Sequence, residues 1–262
     1  MALTAEAIAQ LAQVVDDAHT HAREIGKLTD QYPDMTVADG YAVMDALVAR
    51  RQGRGHRIVG YKLGLTSRAK MEQMGQRQPG YGLLFDDFAV PDGGAVEVAS
   101  LIHPKVEPEI ALVTRAPLRG PGVHVGTVLA AADFVLPAME IIDSRYKDFR
   151  FDMPSVVADN SSSARFVTGG HSAPADQVDL RTLGLVMEKN GEIVGLGCGA
   201  AVLGHPAAAV AMLANILGAK GQEIPAGTFI MTGGITAAVA VAPGDHVTTH
   251  YQGLGSISVR FV

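Results

Sequence analysis

Tryptophan is absent from this 262-residue chain, cysteine occurs once, and aromatic residues make up only 5% of it. A single cysteine, Cys198, cannot form an internal disulfide and fits a reducing compartment, so a cytoplasmic protein is expected. Few aromatics beside 30 glycines suit a loop-rich enzyme better than an aromatic recognition surface. Net charge is −6 with no dense basic patch, which argues against a nucleic-acid partner. The one short basic run, Arg50-Arg51-Gln52-Gly53-Arg54, reads as the solvated end of a helix. The opening MALTAEAIAQ lacks the basic start and apolar core of a secretion signal. The most apolar stretch, 224–243, is broken by Pro225, glycines and threonines, so no membrane span is expected. The histidines show no zinc spacing on a helix, and His246 and His250 read as surface residues of a strand. No G-x-S-x-G nucleophile elbow occurs.

What is present divides near residue 55. Thr4 can cap a first helix in which Ile8, Leu11, Val15, Ala18, Ala22 and Ile25 recur at helical spacing. Thr36-x-x-Asp39 resembles a capping box opening a second helix through Tyr41, Met44, Leu47 and Val48. Residues 1–55 therefore read as a helical hairpin or lid, and 56–262 as a β-rich catalytic domain. Short strands are expected at 58–65, 88–90, 105–114, 135–142, 185–188, 192–196, 229–232, 247–251 and 256–262. A short helix should hold Met71 and Met74, 78–82 should be a loop, and longer helices should cover 125–132 and 206–220. Asn190-Gly191 is the strongest hairpin signal. The class is α+β with a mostly antiparallel β core.

Three carboxylates lie inside apolar strand-like runs: Glu107 and Glu109 in KVEPEI, and Glu140 in PAMEIID. Residues two apart on a strand share a face, so Glu107 and Glu109 project together. A cluster completed by Glu140 would need a cation, and an all-oxygen set suits Mg2+ or Mn2+. The same alternation also fits a strand with one wet face. Lys62, between Tyr61 and Leu63 and ahead of Gly64-Leu65-Thr66-Ser67, reads either as an edge-strand gatekeeper or as part of an oxyanion pocket with backbone amides. Asp143 and Arg145 follow Glu140 closely, as a local ion pair, a support for the metal ligand or a substrate contact. The polar turns 159–163 and 232–236 contain Ser161 and Thr236, which could line a pocket or merely close turns. Gly195-Leu196-Gly197-Cys198-Gly199-Ala200 matches a dinucleotide pattern, but its strand is the return limb of the hairpin, which is the wrong context.

Long motifs then point to a family. IVGYKLGLTS, LIHPKVEPEIALV, LPAMEIIDSRY, SVVADNSSS, VLGHP and FIMTGGITAAVAVAPGD resemble the 2-oxopentadienoate hydratase and 4-oxalocrotonate decarboxylase family, of the fumarylacetoacetate hydrolase-like superfamily. The likeness runs from about Tyr32 to Val262. It implies that superfamily's catalytic fold, with Mg2+ (or Mn2+) held by Glu107, Glu109 and Glu140 and an active-site lysine at Lys62. It also implies a substrate carboxylate met by the backbone at Leu65, Thr66 and Ser67. Hydratases of the family typically carry an acidic residue where this chain has Gly80. The resemblance therefore implies a decarboxylase of 2-oxo-3-hexenedioate, with a hydratase or an acylpyruvate hydrolase as the alternative. An oligomer, and a complex with the hydratase of the next step, are implied in the same way.

Overall fold

The computed structural model describes residues 3–67, 71–72, 79–169 and 171–262. Thr4 caps α1 (Ala5–Thr20) by accepting from the Ala7 amide. The apolar spacing outruns this helix: Ala22 takes a left-handed φ of 46°, and Ile25 bridges to Tyr146 instead. One turn, α2 (Leu28–Gln31), leads to α3 (Val37–Gly53). The capping box is present: Thr36 Oγ1 accepts from the Asp39 amide, and the Asp39 carboxylate accepts from the Thr36 amide. Leu11, Val15, Val43 and Leu47 join α1 to α3 in an apolar cluster that also takes in Tyr146.

The run ending α3 is solvated only in part, since Arg51 is buried while Arg50 and Arg54 stay partly exposed. Arg54 and Arg50 both pair with the buried Asp16 of α1, and Arg51 is buried, paired with Asp87 at 2.7 Å. Its guanidinium also lies over the rings of Phe85 and Phe88. Charges that read as solvent-facing in one dimension thus tie the helices to the β body.

Fourteen strands follow among the described residues: β1 (Ile58–Gly64), β2 (Gly80–Phe85), β3 (Ala89–Val90), β4 (Ala95–Val96), β5 (Lys105–Thr114), β6 (Ala132–Ile142), β7 (Ser163–Thr168), β8 (Ala173–Pro174), β9 (Gly184–Lys189), β10 (Glu192–Cys198), β11 (Phe229–Met231), β12 (Val239–Ala240), β13 (His246–Tyr251) and β14 (Gly255–Phe261). The larger sheet runs β2-β1-β11-β5-β6-β7-β3, with β12 beside β5 and β8 beside β6; the smaller runs β10-β9-β13-β14-β4. Only β1–β11, β3–β7 and β4–β14 are parallel pairs, so the core is mostly antiparallel. Asn190 and Gly191 both take positive φ at the β9–β10 turn, as a tight hairpin requires.

Three segments depart from the sequence expectation. The 78–82 run is not all loop: β2 begins at Gly80 and is buried throughout. Gly82 is small because a Cβ there would sit 2.6 Å from the Asn160 carbonyl oxygen, so a turn-like composition here marks close approach. The helix Met153–Ala158 and strand β7 were not anticipated. Met74 and Gln78 lie outside the described residues. Gly199–Ala219 is long and apolar enough to cross a membrane, more so than 224–243, but its helix Pro206–Ala219 buries Ala207, Val210, Leu213 and Leu217 within the protein.

Thr36→Ala removes one half of the capping box and should cost about 1 kcal/mol of folding stability. The expected readout is a lower urea midpoint at unchanged denaturant slope. An unmoved midpoint would show that packing alone fixes the start of α3.

Candidate active site

The strands β5 and β6 are long antiparallel neighbours, and their register sets Glu107 directly opposite Glu140. Glu109 lies two residues along the same face of β5. Each carboxylate offers an oxygen within 4.8 Å of the other two. Glu109 and Glu140 are fully buried. Burial, followed by the charges of Glu140 and Glu107, pushes the Glu109 carboxyl well above the ordinary range. Burial raises Glu140 to about 7, against the opposing pull of Lys62. Glu109 Oε2 accepts from the Gly233 amide at 2.6 Å, while Glu109 Oε1 and Glu140 Oε1 have no hydrogen-bond partner among the described residues.

Lys62 projects from β1 to the same place. Its Nζ lies 3.1 Å from Glu140 Oε2 and donates to the Ser161 carbonyl at 2.8 Å. That carbonyl sits in a strained turn: Asn160, Ser161 and Ser162 all have positive φ, between 48° and 59°. The turn is held against β2, where the Asn160 amide group exchanges two hydrogen bonds with the Leu83 backbone and Ser161 Oγ donates to the Tyr81 carbonyl. Two of the three carboxylates are fully buried, and a divalent cation would offset the negative charge that their ionisation places there. Orphaned buried oxygens of an all-carboxylate set fit a hard cation such as Mg2+. A second group, His56, Asp86 and Asp87, is also close enough to share an ion. There, however, Arg57 and Arg51 already pair with the two aspartates.

Of the three glutamates, Glu107 lines a cavity of about 530 Å3. Leu65, Thr66, Ser67, Ser161 and Thr236 line it, as does Gly80. Leu65 has a left-handed φ of 58°. Two glycines bring the 232–236 turn against the acids. Gly233 has φ 110° and a Cβ there would overlap Thr66, while a Cβ on Gly234 would reach 2.9 Å from the Glu107 carboxyl carbon. Sequence reasoning missed the apolar wall, Phe149, Phe151, Met153, Val156 and Val157, the last three of which lie on the unanticipated short helix. Lys105 was missed too, although it shares the Glu107 face of β5.

Asp143 and Arg145 are not among the residues that line the cavity. Asp143 accepts from the Ile102 and His103 amides. The buried Arg145 guanidinium pairs with Asp159 and donates to the Asp143, Asp159 and Ser163 carbonyls. Burial lifts Asp159 to about 6 despite that partner. These residues brace the strained turn from behind, and their donors and acceptors are used up in doing so.

Arg145→Met would leave Asp159 buried and unpaired, costing on the order of 3–5 kcal/mol. Thermal unfolding should show a drop of several degrees; an unchanged transition would deny the brace. The raised carboxyls give a second expectation. Without a cation, the stability they contribute is present below the ordinary carboxylate range and is lost as pH rises through about 7 for Glu140. A cation must displace those protons, so Mg2+ affinity by calorimetry should climb as pH rises through about 7, with proton uptake by the buffer. A flat profile between pH 5 and pH 8 would contradict the shared, buried acid cluster.

Comparison with known proteins places this geometry. Residues 59–262 match the family model described as fumarylacetoacetate (FAA) hydrolase C-terminal. The chain is 61% identical to a 4-oxalocrotonate decarboxylase of Pseudomonas putida, over 99% of this chain and 98% of that one. It is 40% identical to a 2-hydroxyhexa-2,4-dienoate hydratase of Comamonas testosteroni, over 94% of each. A solved 4-oxalocrotonate decarboxylase from Pseudomonas putida G7, complexed with magnesium and adipate, superposes with a TM-score of 0.98 at 60% identity, covering 99% of both chains. The chain therefore belongs to the fumarylacetoacetate hydrolase family, in the branch that holds the 4-oxalocrotonate decarboxylases and their related dienoate hydratases.

Proposed function

We propose that this protein is a Mg2+- (or Mn2+-) dependent decarboxylase that converts 2-oxo-3-hexenedioate to 2-hydroxypenta-2,4-dienoate and CO2. The observation that carries it is the trio of Glu107, Glu109 and Glu140, two of them fully buried with orphaned oxygens, set beside Lys62 at a cavity that Glu107 lines. The decarboxylase relative that holds magnesium and adipate, a six-carbon dicarboxylate, supports the same reading. Glu107, Glu109 and Glu140 would hold the ion, which when bound supplies Lewis acidity toward the 2-oxo acid end of the substrate.

The remaining work falls to this chain's own groups. The scissile C5–C6 pair becomes the C4–C5 double bond, the C3–C4 π pair moves to C2–C3, and the C2 oxygen gains negative charge. Lys62, held by Glu140 and the Ser161 carbonyl, sets an ammonium close to that charge. Phe149, Phe151, Met153, Val156 and Val157 keep water from that side, which strengthens the electrostatic term. The backbone of Leu65, Thr66 and Ser67 is assigned to the proximal carboxylate, and the Ser161 and Thr236 hydroxyls to the polar wall. Gly80 offers no carboxyl to manage protons for water addition, which ranks a hydratase second. The dienol product is short-lived, so association with the hydratase that consumes it belongs to the same proposal, as does an oligomeric enzyme.

Glu107→Gln should abolish metal-dependent CO2 release by lowering the site's charge. Lys62→Ala should lower kcat by about a hundredfold or more, with metal affinity changed far less. Full activity after exhaustive EDTA treatment, with no metal by elemental analysis, would sink the scheme. Water addition to 2-hydroxypenta-2,4-dienoate without CO2 release from the diacid would install the hydratase reading instead.

A further inference from the structure

Three charged side chains among the described residues line the cavity: Lys62, Glu107 and Lys105. Lys62 is engaged by Glu140, and Glu107 belongs to the acidic trio. Lys105 takes no part in the carboxylate ion pairs found among the described residues. Its Nζ lies instead 3.8 Å from the centroid of the Phe149 ring. An aromatic face positions an ammonium without cancelling its charge or consuming its N–H donors.

Position and strain single out this lysine. Lys105, Glu107 and Glu109 alternate along one face of β5, so Lys105 stands about 7 Å from Glu107 along the strand, on the side away from Glu109. An extended six-carbon diacid whose oxo-acid end meets the glutamates spans a comparable length. The ring that holds Lys105 is itself set by strain: Asp148 and Phe149 both take left-handed φ, 57° and 58°. The turn is pinned by the Phe149 amide donating to the Tyr146 carbonyl at 3.0 Å. Apart from this ammonium, the same wall is apolar, through Phe151, Met153 and Val156.

We infer that Lys105 reads the distal carboxylate of the substrate, so that the cavity selects 2-oxo dicarboxylates over 2-oxo monocarboxylates of the same length. This rests on the decarboxylase reading above. The contact is one of recognition: the distal group loses its negative charge as CO2 leaves, so the ion pair favours the bound substrate over the transition state. Loss of Lys105 should therefore raise KM and leave kcat intact or higher, opposite to loss of Lys62.

The test is calorimetric titration of the Mg2+-loaded protein with 2-oxoadipate and with 2-oxohexanoate. Lys105→Met should weaken 2-oxoadipate about ten- to a hundredfold, the range of a lost charge-assisted bond, and leave 2-oxohexanoate within about twofold. Lys105→Arg should keep the preference, and Lys105→Gln substitutes for the methionine variant if that one does not fold. Equal weakening of both ligands, or an unaltered ratio, overturns the role of Lys105 while leaving the decarboxylase reading in place. Failure of the wild-type protein to bind either 2-oxo acid overturns both.

Discussion

Two fully buried carboxylates, with a third beside them, repel one another in a place where water cannot screen them, and the surrounding structure is arranged around that repulsion. β5 and β6 hold the acids at fixed register, so the chain cannot relieve the strain by spreading them. Lys62 offsets one charge, and protonation offsets more when no cation is bound. Such a site is a poor contributor to stability and a good receptor for a divalent ion. A stability–function trade of this kind is common where chemistry needs a charge kept dry.

The price of holding that charge recurs in the backbone. The Asn160–Ser162 turn, which presents a carbonyl to Lys62, sits in a sparsely populated conformation and is clamped on both sides. Asn160 holds it to β2 by imitating a strand neighbour, and the Arg145–Asp159 pair holds it from behind. Arg145 also links this brace to the helical part, since its carbonyl accepts from the Ile25 amide. The N-terminal helices and the short helix Met153–Ala158 pack on one another where Gly40 of α3 meets the Pro154 backbone. The apolar wall of the cavity is thus built on the same contact that seats the helices.

The functional relation between Lys62 and Lys105 follows from their surroundings. One ammonium is locked between a carboxylate and a carbonyl at the buried end. The other rests on an aromatic face and keeps its hydrogen-bonding capacity. In the proposed reaction, two lysines of equal formal charge would therefore take different tasks: one would stabilise charge that develops, the other would recognise charge already present.

Much of this was legible in one dimension. The run KVEPEI fixed both the extent of β5 and the common face of Glu107 and Glu109, because side chains alternate on a strand whatever lies around it. The capping box and the Asn190-Gly191 turn are likewise local, each satisfied by atoms a few residues apart. The 78–82 run was misread as a loop because glycine signals both turns and close approach, and only a neighbour distant in sequence, Asn160, distinguishes them at Gly82. Arg51 looked solvated but is buried against Asp87, and the partners of Arg50, Arg54 and Arg145 were not foreseen, since charge alone does not reveal a partner. Sequence alone determined the strand-borne acids, the lysine and the α+β class. Tertiary structure decided that Glu140 faces Glu107, that Phe149 and its neighbours close the cavity, and that Gly233 touches Glu109, because register and long-range packing depend on what the chain meets when folded.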